Sequence, residues 1–236
     1  MSGDQLPEAE VRYLTEDDES IDTTLAKVDL ARLARARPVR RVRSYARQRH
    51  YSGLYWSFKN RDHVVYESRL ELARLLVADI DPATQRIAAQ PMQLVGVDGS
   101  RMRRHVPDFL IVRIDDRPLV VDVKPARFAA KPEVADVLRW TARLCSARGL
   151  DYQVWSGTDP VVIRNIEWLQ AARRRPLPVA TLIEKIRGMA ETPIPLGQLL
   201  SQTSATHQDL FRLVWHGTLQ LELASTLSDE TAVWAS

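Results

Sequence analysis

One cysteine, Cys145, stands among 236 residues, so no disulfide can form within the chain. One thiol cannot complete a zinc site either, and His50, His63, His105, His207 and His216 fall at no ligand spacing. Cys145 lies with Trp140, Leu144 and Ala147 in a helical stretch and reads as a small core hydrophobe. No glycine-rich loop of the phosphate-cradling kind occurs, so the chain itself is not expected to hydrolyse nucleotides. No apolar run is long enough to span a bilayer, and the acidic start carries no apolar signal segment. These absences together give the expectation of a cytoplasmic protein.

Charge is absent locally rather than globally. The net charge is only +3, yet residues 31–61 contain no acid at all. They carry Arg32, Arg35, Arg37, Arg40, Arg41, Arg43, Arg47, Arg49, Lys59 and Arg61, with Tyr45, Tyr51, Tyr55 and Trp56 interleaved. Unopposed cations with aromatics are the footprint of a polyanion, and nucleic acid is the first candidate. Arg40, Arg41, Arg43, Lys59 and Arg61 are the DNA-phosphate candidates. A solvated cationic face is the plainer alternative. Residues 1–24 invert the pattern, with Asp4, Glu8, Glu10, Glu16, Asp17, Asp18, Glu19 and Asp22 against Arg12. The segment 1–30 therefore reads as acidic and flexible.

Hydrophobic periodicity supplies the rest of the plan. "YESRLELARLLVADI" (66–80) predicts an amphipathic helix with Tyr66, Leu70, Ala73, Val77 and Ile80 on one face, stopped by Asp81-Pro82. The stretch 86–125 has turn signals at Asp98-Gly99 and at Asp115-Asp116-Arg117-Pro118, which predicts three strands in an antiparallel meander. A helix follows, with Pro132 at its start and Gly149 past its end. "LDYQVWSG" is a further strand, parallel to an earlier one by the crossover rule. The fold class is α/β: a mixed sheet flanked by helices over residues 31–158. Residues 159–236 read as helices followed by a hairpin, the pattern of a winged helix.

The second apolar run of the expected hairpin, "LVVDVKP", is interrupted by Asp122 and Lys124. Residues i and i+2 of a strand share a face, so these two side chains point together. Counting back from the turn, Asp108 of "VPDFLIV" falls close to them. Two carboxylates repel each other and are poorly desolvated alone, and a divalent cation resolves both problems. Magnesium accepts a few carboxylate oxygens and keeps waters and a phosphate oxygen, while an adjacent lysine offsets charge developing on phosphate. The alternatives are an Asp122–Lys124 salt bridge or a solvated edge strand.

These residues resemble the PD-(D/E)xK signature of the restriction-endonuclease-like fold. More closely, "SFKNRDHVVYESRLE", "QP", "RRHVPDFLI", "VVDVKP" and "ARGLDYQVW" resemble the TnsA-type endonuclease subunit of heteromeric transposases over residues 50–160. The resemblance implies a catalytic set of Glu67, Asp108, Asp122 and Lys124, with Glu67, Asp108 and Asp122 holding Mg2+ (or Mn2+ in its place). Glu67 rests on the resemblance; the residues alone make it a helix-start acid. In some family members an amide stands where this chain has Asp122. The resemblance also implies cleavage of the 5′ strands at transposon ends, beside a DDE-type transposase subunit and an ATP-dependent regulator. His105 is a phosphate contact or, better, a hydrogen-bonding histidine; Gln90-Pro91 is a buttress of the site or a strand bulge.

The C-terminal part carries Glu191, Asp209, Glu222, Asp229 and Glu230 against Arg212 alone over residues 191–236, which disfavours phosphate binding there. Protein docking is expected instead, with Phe211, Leu213, Val214 and Trp215 shared between core and interface, and DNA held by "ARRR" (172–175) and the arm 31–61. Two other functions fit the same residues: a stand-alone restriction or repair nuclease, and a non-catalytic DNA-tethering adaptor.

Overall fold

The computed structural model describes residues 8–40, 51–115 and 117–236. Arg41 and Arg43 of the basic arm lie outside the described residues. The chain divides into two compact units, Met1–Leu75 with Ala83–Gly157, and Leu76–Pro82 with Thr158–Ser236. The architecture is mixed α/β. Among the described residues no helix is long and apolar enough to cross a membrane.

The first unit opens with β1 (Glu10–Leu14) and β2 (Ser20–Thr24), an antiparallel hairpin. The acidic segment expected to be flexible is thus part of a sheet over these residues. Its acids masked a period-two pattern: Ala9, Val11 and Tyr13 are buried while Glu10 and Arg12 face outward. Arg12 also reaches across the hairpin to Asp22 at 2.6 Å. Next come α1 (Leu30–Leu33), begun by Asp29 accepting two backbone N–H groups, and the hairpin of β3 (Gly53–Ser57) and β4 (Asp62–Tyr66). Asn60 at that hairpin's turn both donates to the Ile87 carbonyl and accepts from the Ile87 amide, at 2.7 and 3.0 Å.

Helix α2 (Arg69–Ile80) starts three residues later than the periodicity predicts. Tyr66 ends β4, and Ser68 stands before the helix with its Oγ accepting the Glu71 N–H. Leu75, Leu76 and Ala78 are its most buried apolar residues, while Ala73 and Val77 of the expected face are half-buried. The strands β5 (Thr84–Ala89), β6 (Gln93–Asp98), β7 (Arg101–His105), β8 (Phe109–Arg113) and β9 (Leu119–Val123) follow. Then come α3 (Ala126–Ala129), α4 (Pro132–Arg148) and β10 (Asp151–Trp155).

The expected three-strand meander is instead two interleaved four-stranded sheets, in the orders β10-β9-β8-β5 and β2-β1-β6-β7. The hairpin β6–β7 leaves the first sheet between β5 and β8. Gln90 makes the exit: it holds φ 44°, rare for a residue with a Cβ, and its N–H donates to the Asp108 carbonyl at 2.8 Å. Pro91 cannot donate, so the ladder ends there. In the first sheet β10 runs parallel to β9, placing Val154 beside Asp122. Helix α4 makes the crossover, with Pro132 in its first turn and Gly149 closing it at φ 74°. Trp140, Leu144 and Cys145 of α4 pack with Leu110 and Val120 of the first sheet and Val11, Tyr13 and Leu94 of the second. Gly96 permits this approach, since a Cβ there would lie 3.2 Å from the Trp140 ring.

The second unit contains α5 (Pro160–Leu169), α6 (Ala180–Met189), the two-residue β11 (Ile194–Pro195), α7 (Leu196–Gln202), α8 (His207–His216), β12 (Leu219–Leu221) and β13 (Ala232–Ala235). The three strands form a small sheet in the order β11-β13-β12. Thr206 and Asp209 make a reciprocal capping box at the start of α8, and Gly217 ends it at φ 78°. Phe211, Leu213, Val214 and Trp215 are buried inside the unit, so they are core and not the shared interface expected of them. Arg212 is turned inward as well; its Nε donates to the Arg175 carbonyl, and burial lowers its pKa.

The embedding of β1 makes a prediction. Tyr13→Ala removes a buried aromatic ring and should destabilise the chain by about 3 kcal/mol in denaturant unfolding. A loosely attached segment would give a change near zero.

Candidate active site at the end of β9

The register Phe109↔Val121 sets Asp108 across from the end of β9. The Asp108 amide donates to the Val121 carbonyl at 3.0 Å, and then the side chain takes over the ladder. Its Oδ2 accepts the Val123 N–H at 2.7 Å and the Lys124 ammonium at 3.0 Å. Lys124 stays a third exposed while Asp108 is nearly enclosed. Asp108 is therefore a desolvated carboxylate with one charged partner. Burial pushes its pKa up, Lys124 and the Val123 amide pull it back, and the neighbouring negative charge of Asp122 pushes it further up.

A further acid, Glu71, lies in the field of Asp108, and the charge of Glu67 acts on Glu71 in turn. Burial raises the Glu71 pKa, and the charge of Asp108 adds to the rise. Its carboxylate accepts from the Glu67 amide at 2.7 Å and the Ser68 hydroxyl at 2.9 Å, which locks it over the start of α2. Glu67 contributes that backbone N–H. Its own carboxylate makes no hydrogen bond among the described residues. The sequence signal for Glu71 was present in "SRLE", a serine three residues before a glutamate at a helix start.

Asp122 is placed differently from the expectation. It is 0% exposed, and both its oxygens are engaged: Oδ1 and Oδ2 by His105 Nε2 at 2.8 and 2.9 Å, Oδ2 also by the Tyr152 hydroxyl at 2.6 Å. A carboxylate only accepts, so His105 carries its proton on Nε2. Burial and the charge of Asp122 raise the Tyr152 pKa far above its usual value, so its hydroxyl stays a donor. Asp122 and Asp108 share no hydrogen-bond partner. The pairing of Asp122 with Lys124, one of the plainer alternatives, does not occur; Lys124 goes to Asp108. His105 takes the hydrogen-bonding role. Cys145, buried and also near Asp122, has its thiol pKa pushed up to about 12 and is an inert core residue.

Of the magnesium set expected from the resemblance, Asp122 acts electrostatically on Asp108, while Glu67 acts on Glu71; among the described residues no three or more His, Cys, Asp or Glu side chains form a metal-holding group. Asp108 acts on Glu71 as Asp122 acts on Asp108, and magnesium is commonly held by one or two carboxylates plus water. Of the DNA-phosphate candidates described, Arg40 and Arg61 are exposed and Lys59 is half-buried; Arg61 sits at the β3–β4 turn with φ 52°. No protein-family model and no curated protein matches the chain.

Two predictions follow from these environments. Asp108 and Glu71 have pKa values raised above their unfolded values, so the native chain holds extra protons above pH 4 and loses stability as pH rises through their folded values. Asp108→Asn should therefore raise the melting temperature at pH 7, with the gain vanishing at acid pH where both forms are neutral. Asp122→Ala should destabilise by roughly 2–5 kcal/mol, because His105 and Tyr152 lose a buried partner. Unfolding curves at the two pH values measure both.

Proposed function

We propose that the chain is a magnesium-dependent DNA endonuclease of the TnsA type, the subunit that cleaves the 5′ strands at transposon ends beside a DDE-type transposase and an ATP-dependent regulator. On this reading the first unit has the restriction-endonuclease-like fold and the second is a winged helix used for protein docking. One observation carries the reading: Asp108, at a strand end with Lys124 bonded to it, is a desolvated carboxylate pushed further up by the charge of Asp122, and its own charge acts on a second desolvated carboxylate, Glu71 of α2. A structural ion pair needs no second buried acid. A phosphodiester hydrolase does, since perturbed acids beside a lysine mark metal and phosphate chemistry.

Asp108 and Glu71 would hold the magnesium ion, which supplies Lewis-acid polarisation of the phosphate and an activated water. Lys124 is held by Asp108 and partly open to solvent, so its ammonium can offset charge on the phosphate as the bond breaks. Asp122 acts on this site through the backbone. It fixes the strand whose next two residues, Val123 and Lys124, both bond Asp108. His105 and Tyr152 in turn fix Asp122.

The experiment is nicking of DNA carrying the transposon ends, with magnesium, alone and with the partner subunits. Asp108→Asn and Lys124→Ala should each lower cleavage by about 10²-fold or more while leaving circular dichroism and DNA binding intact. Undiminished nicking by both variants would refute the assignment. The double engagement of Asp122 favours one other reading, the non-catalytic DNA-tethering adaptor. Calorimetry separates the two: magnesium binding lost in Asp108→Asn supports the nuclease, and no magnesium binding by the unaltered chain supports the adaptor.

A further inference from the structure

Several cations of the first unit are paired with acids. Arg103 pairs with Asp98 and Asp136, Arg143 with Asp98, Arg139 with Asp136 and Arg113 with Asp151. The segment that follows Lys124 is different. Arg127 of α3 and Lys131 just before α4 are both exposed and make no ion pair among the described residues. Each instead lies over the ring of Phe128, the guanidinium carbon 4.9 Å and the ammonium 5.0 Å from its centre. Phe128 itself is 40% exposed. Glu133, in the first turn of α4, pairs with neither cation.

Two like charges are thus gathered around one aromatic ring with no acid to offset them. Gathering them costs repulsion in the free chain and is returned when a polyanion arrives. The ring's negative face lowers the cost of holding the cations. The chain geometry also ties the cluster to the candidate site. Phe128 is four residues past Lys124, a reach of at most about 14 Å, or roughly four nucleotides of duplex rise. The first turn of α3 is fixed by Phe128 and Ala129 donating to the Pro125 carbonyl at 2.8 and 3.0 Å, so the cluster is set down by the strand that carries Lys124.

We propose that Arg127, Phe128 and Lys131 form a phosphate clamp that grips the DNA backbone a few nucleotides from the bond that Lys124 faces. This rests on the DNA-nuclease reading and extends it. Arg127 and Lys131 contact phosphate oxygens, and Phe128 is a positioning residue that holds the two charges together.

The test is the salt dependence of binding to a short blunt duplex carrying a transposon end, measured with the full chain. Each phosphate contact contributes about 0.9 to the slope of log affinity against log salt. Arg127→Ala with Lys131→Ala should flatten the slope by about 1.8. Phe128→Leu, which keeps the charges and loses the ring, should weaken binding by about two- to five-fold at fixed salt. A control, Arg12→Ala with Arg139→Ala, removes two arginines already paired with Asp22 and Asp136 and should leave the slope unchanged. An unchanged slope in the Arg127/Lys131 variant, or an equal loss in the control, overturns the clamp while leaving the nuclease reading standing. Absence of salt-dependent duplex binding by the unaltered chain overturns both.

Discussion

A carboxylate withdrawn from water at the end of an apolar strand governs the first unit. Asp108 is enclosed, yet only one charged group, Lys124, and one amide, that of Val123, compensate its charge. A sheet assembled for stability alone would put a valine there, as it does at Val120, Val121 and Val123. The uncompensated part of the desolvation is visible in the upward pKa displacement of Asp108, and the neighbouring charge of Asp122 enlarges it. Such strain persists only where the surrounding scaffold over-determines the position.

The scaffold does so from three directions. The Gln90 amide holds the Asp108 carbonyl, the Val121 carbonyl holds the Asp108 amide, and β10 continues past its own end by giving the Trp155 carbonyl to the Lys124 amide. Behind them Asp122, His105 and Tyr152 form a closed, buried polar network. Every bond in it is charge-assisted or made by a hydroxyl, and such networks fix one geometry because each partner is costly to leave unmet. The arrangement separates two duties between acids that the strand pattern makes look equivalent. Both oxygens of Asp122 are bonded within the network, whereas the charge of Asp108 is under-compensated.

How far the sequence disclosed this depended on the range of the interaction. Local rules read well: Pro132 and Gly149 bound α4, and the crossover rule put β10 parallel to its neighbour. The meeting of Asp108 with Lys124 also followed from counting outward from a turn. What failed was non-local or masked. Nothing in "AAQPMQ" says that the chain leaves one sheet for another, because the deciding feature is a positive φ at Gln90, a residue type with no special licence for it. The acids of the first segment concealed the alternation of Ala9, Val11 and Tyr13, since a charge count is blind to which face a residue occupies. Glu67 was named from the resemblance, and the burial of Glu71 beside it, four residues on, is a tertiary feature that spacing does not report. Asp122 and Lys124 share a face in an ideal strand, yet Lys124 lies one residue past β9 and bonds elsewhere.

The pairing of β1 with β6 has a consequence for how the chain acquires its structure. Glu10 meets Val95, so the contact closes a loop of more than eighty residues, and the β1–β2 hairpin has no other strand to lean on until β6 exists. An isolated two-stranded hairpin is marginal in water. During synthesis β1 must wait, unpaired on one edge, until β6 is made; the acids of its hairpin then serve as gatekeepers that keep Val11 and Tyr13 from pairing with other chains in the interval.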